Sequence, residues 1–126
     1  MGKSASSRSD TVRIDRRAEL IQATITVMFR DGLSNLTLAK VAAAAGFSTG
    51  IVNFYFKSKA QLLIDTLQVV SSEYEGAVDR ALSGTEAAKK KLIRLINEIL
   101  SQKICCPERA AVWYAFMGES QAREGY

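Results

Sequence analysis

Residues 37–59 read TLAKVAAAAGFSTGIVNFYFKSK, and this stretch decides the fold. It reads as two short helices joined by a tight turn. Thr37 can cap the first, because its hydroxyl accepts an N–H left free at a helix start. Leu38, Val41, Ala42 and Ala45 recur at helical spacing and give one apolar face. Gly46 can end that helix in a left-handed conformation without a steric penalty. Phe47 follows as a hydrophobic plug, and Ser48 or Thr49 can cap a second helix running to about Phe54. The small residues Ala42–Ala45 allow two helices to cross closely. Helix, glycine turn, helix is the helix-turn-helix layout, whose second helix lies in the DNA major groove. An ordinary helical hairpin in a core is the plainer reading of the same pattern.

Charge separates the two. Residues 1–59 carry nine Lys/Arg against four Asp/Glu, whereas residues 60–126 carry eight against nine. The basic half therefore contains the helix-turn-helix, as binding to a polyanion requires. Within it, Arg13, Arg16 and Arg17 cluster near the expected start of the first helix, about Asp15 to Asp31. Cations are mildly unfavourable at a helix N-terminus, so an external phosphate would account for them. Ile14, Ala18, Ile21, Ile25 and Met28 are expected to form that helix's apolar face, with Phe29 beside it and Gly32 at its end. Residues 1–12, rich in Ser, Lys and Arg, read as a basic disordered arm.

Downstream, Ser58-Lys59-Ala60-Gln61 is a capping box. It opens a helix of about 25 residues to Leu82, roughly 37 Å long. Leu63, Leu67, Val70, Tyr74 and Val78 follow one stripe of it, and Ser83-Gly84 breaks it. A fifth helix, capped by Ser83 or Thr85, is expected to run to about Lys103, burying Leu92, Leu95, Ile96, Ile99 and Leu100. Pro107 fits the first turn of a sixth, whose Ala110, Trp113, Tyr114, Phe116 and Met117 make an aromatic surface. The fold class is all-α. The domain reading is an arm at 1–12, a helix-turn-helix domain at 13–57 and a helical body at 58–126.

Several chemistries are disfavoured. The 126-residue chain has no histidine, which removes Ser–His–Asp and Cys–His catalysis. Its two cysteines, Cys105 and Cys106, are adjacent and form no disulfide framework or zinc set. No carboxylate pair stands at catalytic spacing, so no enzyme activity, metal or cofactor is expected. No apolar run approaches the roughly 18 residues of a membrane span.

Taken together, Ala23, Phe29, Gly32, Thr37, Val41, Ala42, Ala45, Gly46, Ser48 and Gly50, then Tyr55-Phe56-Lys57-Ser58-Lys59 and Leu62-Leu63, resemble the tetracycline-repressor (TetR) family of bacterial transcription regulators. The resemblance spans about Arg17 to Leu63. Asn53 departs from it, since many members carry Tyr there. GFSTGIVNFYF and the Val112–Phe116 stretch are most similar to the BetI-like subfamily of choline-responsive repressors.

The resemblance implies a homodimer on a near-palindromic double-stranded operator, with a three-helix head joined by a long helix to a ligand-binding and dimerisation domain. It also implies a repressor released by a small molecule, in a bacterial cytoplasm and associated with the nucleoid. Family chains are markedly longer and dimerise through two later helices, so a truncated regulatory domain is expected here.

On this reading Ser48, Thr49, Gly50 and Asn53 contact the groove. Asn binds adenine in a bidentate pair, and Thr offers a methyl to thymine. Thr37, Tyr55, Lys59, Arg13 and Arg17 are phosphate candidates. Phe47, Phe54 and Phe56 are assigned to the core. Trp113, Tyr114 and Phe116 are the effector candidates, because aromatic faces attract a quaternary ammonium such as choline, helped by Glu73, Glu98 or Glu119. A helical interaction module that never touches DNA is the alternative.

Overall fold

The computed structural model describes residues 4–119, and its order is α1 (Ser4–Asp31), a 3-10 turn (Leu33–Asn35), α2 (Leu38–Ala45), α3 (Thr49–Tyr55), α4 (Lys59–Leu82), α5 (Ala88–Ile99) and α6 (Pro107–Glu119). The described residues are helical with connecting turns, in agreement with the all-α expectation. They divide into two compact units, one ending at Leu63 and the other starting at Ile64. The division falls inside α4, not ahead of it at residue 58 as the sequence reading has it. Leu62 and Leu63, in the first turns of α4, are both buried.

In the first unit, α1 begins at Ser4, well before Asp15. Residues 4–12, expected as a disordered arm, are thus helical; residues 1–3 lie outside the described residues. Neither Pro nor Gly interrupts the chain from Ser4 to Asp31, so no local signal stops the helix from extending backwards. From Arg8 onward, every residue to Glu19 is exposed and burial begins at Leu20.

The buried set is Leu20, Ile21, Ala23, Thr24, Ile25, Val27 and Met28. Ile14 (68% exposed) and Ala18 are not in it, a correction to the expected face. Phe29 is also about half exposed. Leu20, Thr24 and Val27 form the true centre at i, i+4, i+7. A threonine fits there because its hydroxyl donates to the Leu20 carbonyl at 2.8 Å, leaving no orphan group.

The turn chemistry follows the sequence closely. The Thr37 hydroxyl oxygen accepts from the Lys40 N–H at 3.2 Å. Gly46 sits at φ +75°, and the Gly46 and Phe47 N–H groups donate to the carbonyls of Ala43 and Ala42. This paired pattern is the Schellman motif, which satisfies the last carbonyls of α2 and reverses the chain. A Cβ at Gly46 would meet nothing within 4 Å, so its requirement comes from the dihedral and not from space. Ser48 then caps α3, accepting from the Ile51 N–H at 3.4 Å. Val41, Ala42, Val52 and Phe56 close the core under both helices.

In the second unit, Val70, Ala77 and Ala81 of α4 and Val112 and Phe116 of α6 are buried. Tyr74, expected on the buried stripe of α4, is 40% exposed. α5 ends at Ile99, short of Lys103, and its preceding residue Ala87 makes no side-chain cap. Arg94 secures the α4–α5 turn instead, donating to the Ser83 carbonyl at 3.3 Å and pairing with Glu86. No residue of α5 is buried; Leu92, Ile93 and Leu100 are more than half exposed and Ile96 nearly so. Pro107 opens α6 as expected.

Candidate nucleic-acid interface

α3 has seven residues, two turns, and its exposure is one-sided. Val52 is buried and Ile51 half-buried, which fixes the inward face. Ser48, Thr49, Gly50 and Asn53 are all exposed. The start of α3 therefore shows solvent a hydroxyl pair, a bare backbone and a carboxamide. Each is suited to base edges: hydroxyls give or take a hydrogen bond, and the carboxamide does both at once. Thr37 is exposed as well. Its oxygen caps α2, while its O–H proton remains to donate outward. Tyr55 and Lys59 are half-buried.

α1 brings two further cations to α3. The Arg13 guanidinium carbon lies 5.6 Å from the centre of the Phe54 ring, and that of Arg17 lies 5.6 Å from the Phe56 ring. Both arginines are exposed. They are four residues apart and so share one side of α1.

Arg30 and Lys40 have different work. Arg30 makes a two-pronged contact with Asp31 at 2.9 and 3.0 Å, and Lys40 lies 3.5 Å from the same carboxylate. The Lys40 ammonium also donates to the Asn35 carbonyl at 3.0 Å. Hydrogen bonding from Arg30 holds the Asp31 carboxyl below its ordinary range. These cations brace the junction of α1 and α2.

Phe54 departs most from the sequence expectation. Assigned to the core, it is 67% exposed, whereas Phe56 is fully buried. Helix geometry accounts for this. Phe54 is two residues past the inward-facing Val52, about 200° around the helix. Phe56 lies past the end of α3 in extended backbone (φ −130°, ψ 117°), where the helical period no longer applies. The Arg13 and Phe54 pair carries no signature in sequence, since 41 positions separate the two (13 and 54).

The three aromatic effector candidates on α6 do not share a face. Phe116 is 4% exposed, Trp113 is half-buried and Tyr114 is 75% exposed. Glu73, a candidate partner for a cation, accepts two hydrogen bonds from the Arg109 guanidinium at 3.1 and 3.2 Å. That contact raises the Arg109 pKa further and already meets the charge of Glu73. An open hollow of about 400 Å³ is lined by Glu86, Lys90, Ile93, Arg94, Asn97 and neighbours, with none of the three aromatics. Among the described residues, no helix is long and apolar enough to cross a membrane.

Residues 20–66 match the family model of the tetR family of bacterial regulatory proteins. That span holds the buried half of α1, all of α2 and α3, and the start of α4. An HTH-type transcriptional regulator BetI from Paraburkholderia phymatum is 38% identical over 108 residues, covering 83% of this chain and 54% of that protein. A BetI regulator from Agrobacterium fabrum is 29% identical over 109 residues, covering 86% of this chain and 53% of its own length. The chain thus spans about half the length of the curated relatives it matches.

A crystal structure of a TetR family transcription regulator from Marinobacter aquaeolei has the same fold, with a TM-score of 0.77 at 24% identity over 91% of this chain and 58% of that one. The family and these relatives are transcription regulators and not enzymes, in line with the reading from composition. The matched span and its capped helix-turn-helix make residues 20–66 a head of the tetR-family type, in a chain whose similarity to BetI regulators runs over most of its own length.

Proposed function

We propose that this chain is the DNA-binding head and part of the regulatory body of a repressor that binds a near-palindromic operator as a homodimer. A small cationic molecule, with choline as the first candidate, releases it. One observation carries the reading: α3 and its cap expose Ser48, Thr49, Gly50 and Asn53 together, while Val52 is buried with Ile51 and Tyr55 half-buried beside it. On this proposal those four residues meet base edges. Thr37, Tyr55, Lys59, Arg13 and Arg17 meet phosphates and set the register. A two-fold dimer matches a palindrome because each copy repeats the same contacts on its half-site.

Choline comes from the resemblance to BetI-like sequences, and Trp113 is the aromatic residue best placed to serve it. It is neither sealed in the core, as Phe116 is, nor fully in solvent, as Tyr114 is. The cytoplasm, beside the nucleoid, is the compartment this role requires.

The test is fluorescence anisotropy on DNA from upstream of the protein's own coding sequence, with and without choline. Binding should be sequence-dependent, and choline should weaken it by roughly 5–150-fold, the usual range of allosteric coupling. Tight binding indifferent to choline would keep the repressor and discard the effector. A folded dimer with no specific affinity at low salt would favour the interaction-module alternative.

A further inference from the structure

Phe54 has no part in the base-reading set, yet its ring is held on two sides. The Tyr55 ring meets it edge-on, with centroids 5.2 Å apart and planes at 86°. The Arg13 guanidinium lies over it at 5.6 Å. Four residues along α1, Arg17 repeats the arrangement over Phe56. The two rungs differ in kind. Phe56 is fully buried, so Arg17 serves there as a lid on the core. Phe54 and Arg13 both face solvent.

An exposed cation–π contact is weak, too weak to brace a fold. It biases a long side chain toward the conformations that keep its head over the ring, so less of its freedom is left to lose when a ligand arrives. A guanidinium resting on a ring still directs its N–H groups along its own plane. That is the geometry in which arginine grips a phosphate with two hydrogen bonds.

We infer that Phe54 is a positioning residue, whose ring holds the Arg13 guanidinium where it meets a DNA phosphate bordering the bases read from α3. The inference rests on the DNA-binding proposal above. It assigns the exposed face of Phe54 to orienting a charge. A phosphodiester oxygen is the ligand, and the contact carries no sequence information of its own.

Phosphate contacts are counted by salt. Each one adds about −0.9 to the slope of log affinity against log salt on duplex DNA. The experiment measures that slope by anisotropy on a mixed-sequence duplex for the whole chain and for Arg13→Ala, Phe54→Leu, Phe54→Trp and the Phe54→Leu/Arg13→Ala double variant. Phe54 is exposed, and leucine keeps its apolar bulk, so folding should survive; far-UV circular dichroism verifies this.

Arg13→Ala should make the slope shallower by about 0.9, and Phe54→Leu should lose most of the same increment. Phe54→Trp should retain it, and the double variant should match Arg13→Ala. A Phe54→Leu slope equal to that of the parent overturns the inference, as does a double variant with additive losses. If the unaltered chain shows no salt-dependent affinity for DNA, the proposed function fails along with it. If the unaltered chain binds and only the Phe54→Leu slope stays unchanged, the positioning role alone is lost.

Discussion

Phe56→Ala is expected to lower the stability of the head unit by about 3–5 kcal/mol, the usual loss on truncating a fully buried aromatic. Phe56 is completely buried and, among the described residues, is the largest side chain in that state. It is also the residue at which the chain leaves α3 for extended backbone, its N–H donating to the Val52 carbonyl at 2.9 Å. Loss of the ring would open a cavity beneath α3 and take away the surface on which Arg17 rests. Small domains hold only about 5–15 kcal/mol in total, so the head would be near its unfolding threshold. Hydrogen exchange read by mass spectrometry confines the measurement to residues 20–63. Protection there should collapse, and unchanged protection would remove Phe56 from the core that supports α3.

Asn53→Ala should produce a large change of another kind, provided the head reads DNA as proposed. A bidentate Asn–adenine pair is worth about 1–3 kcal/mol of discrimination, so preference for the correct half-site should fall by up to roughly a hundredfold. The salt slope should stay as it was, because a carboxamide neutralises no phosphate. Asn53 is exposed on α3, so the fold should not respond. Lys59→Ala is the contrasting control, expected to weaken all sequences alike. Competition between the upstream duplex and variants with single substituted base pairs gives the answer. A preference profile identical to that of the parent would strike Asn53 from the groove contacts.

What is legible in the sequence is mostly what is decided locally. Thr37, Gly46, Ser48 and Ser58 each act on an N–H or carbonyl three to five residues away, and the structure has those bonds. The failures share a different cause. Ile14 has the right period for the buried face of α1, but periodicity cannot say how far along a helix the rest of the protein reaches, and here burial starts at Leu20. Thr24 escapes notice because a hydroxyl looks polar until its backbone partner is known. Phe54 and Phe56 look alike in sequence, although one lies within α3 and the other just past its end. A hydroxyl cap is the expected start of α5, while a guanidinium from the middle of the same helix secures the turn. As for the candidate site, residue types and their order in α3 are legible, but the approach of Arg13 and Arg17 needs the packing of α1.

The open apolar side of α5 also bears on heat capacity. Unfolding raises heat capacity in proportion to apolar area newly hydrated, about 12–15 cal/mol/K per residue in an ordinary domain. Leu92, Ile93, Ile96 and Leu100 already meet water in the folded chain, so melting the unit that begins at Ile64 hydrates little more of them. Its increment should fall below that range, and its free energy should bend less with temperature. Calorimetry of the chain should then record a smaller heat-capacity step than its length would give.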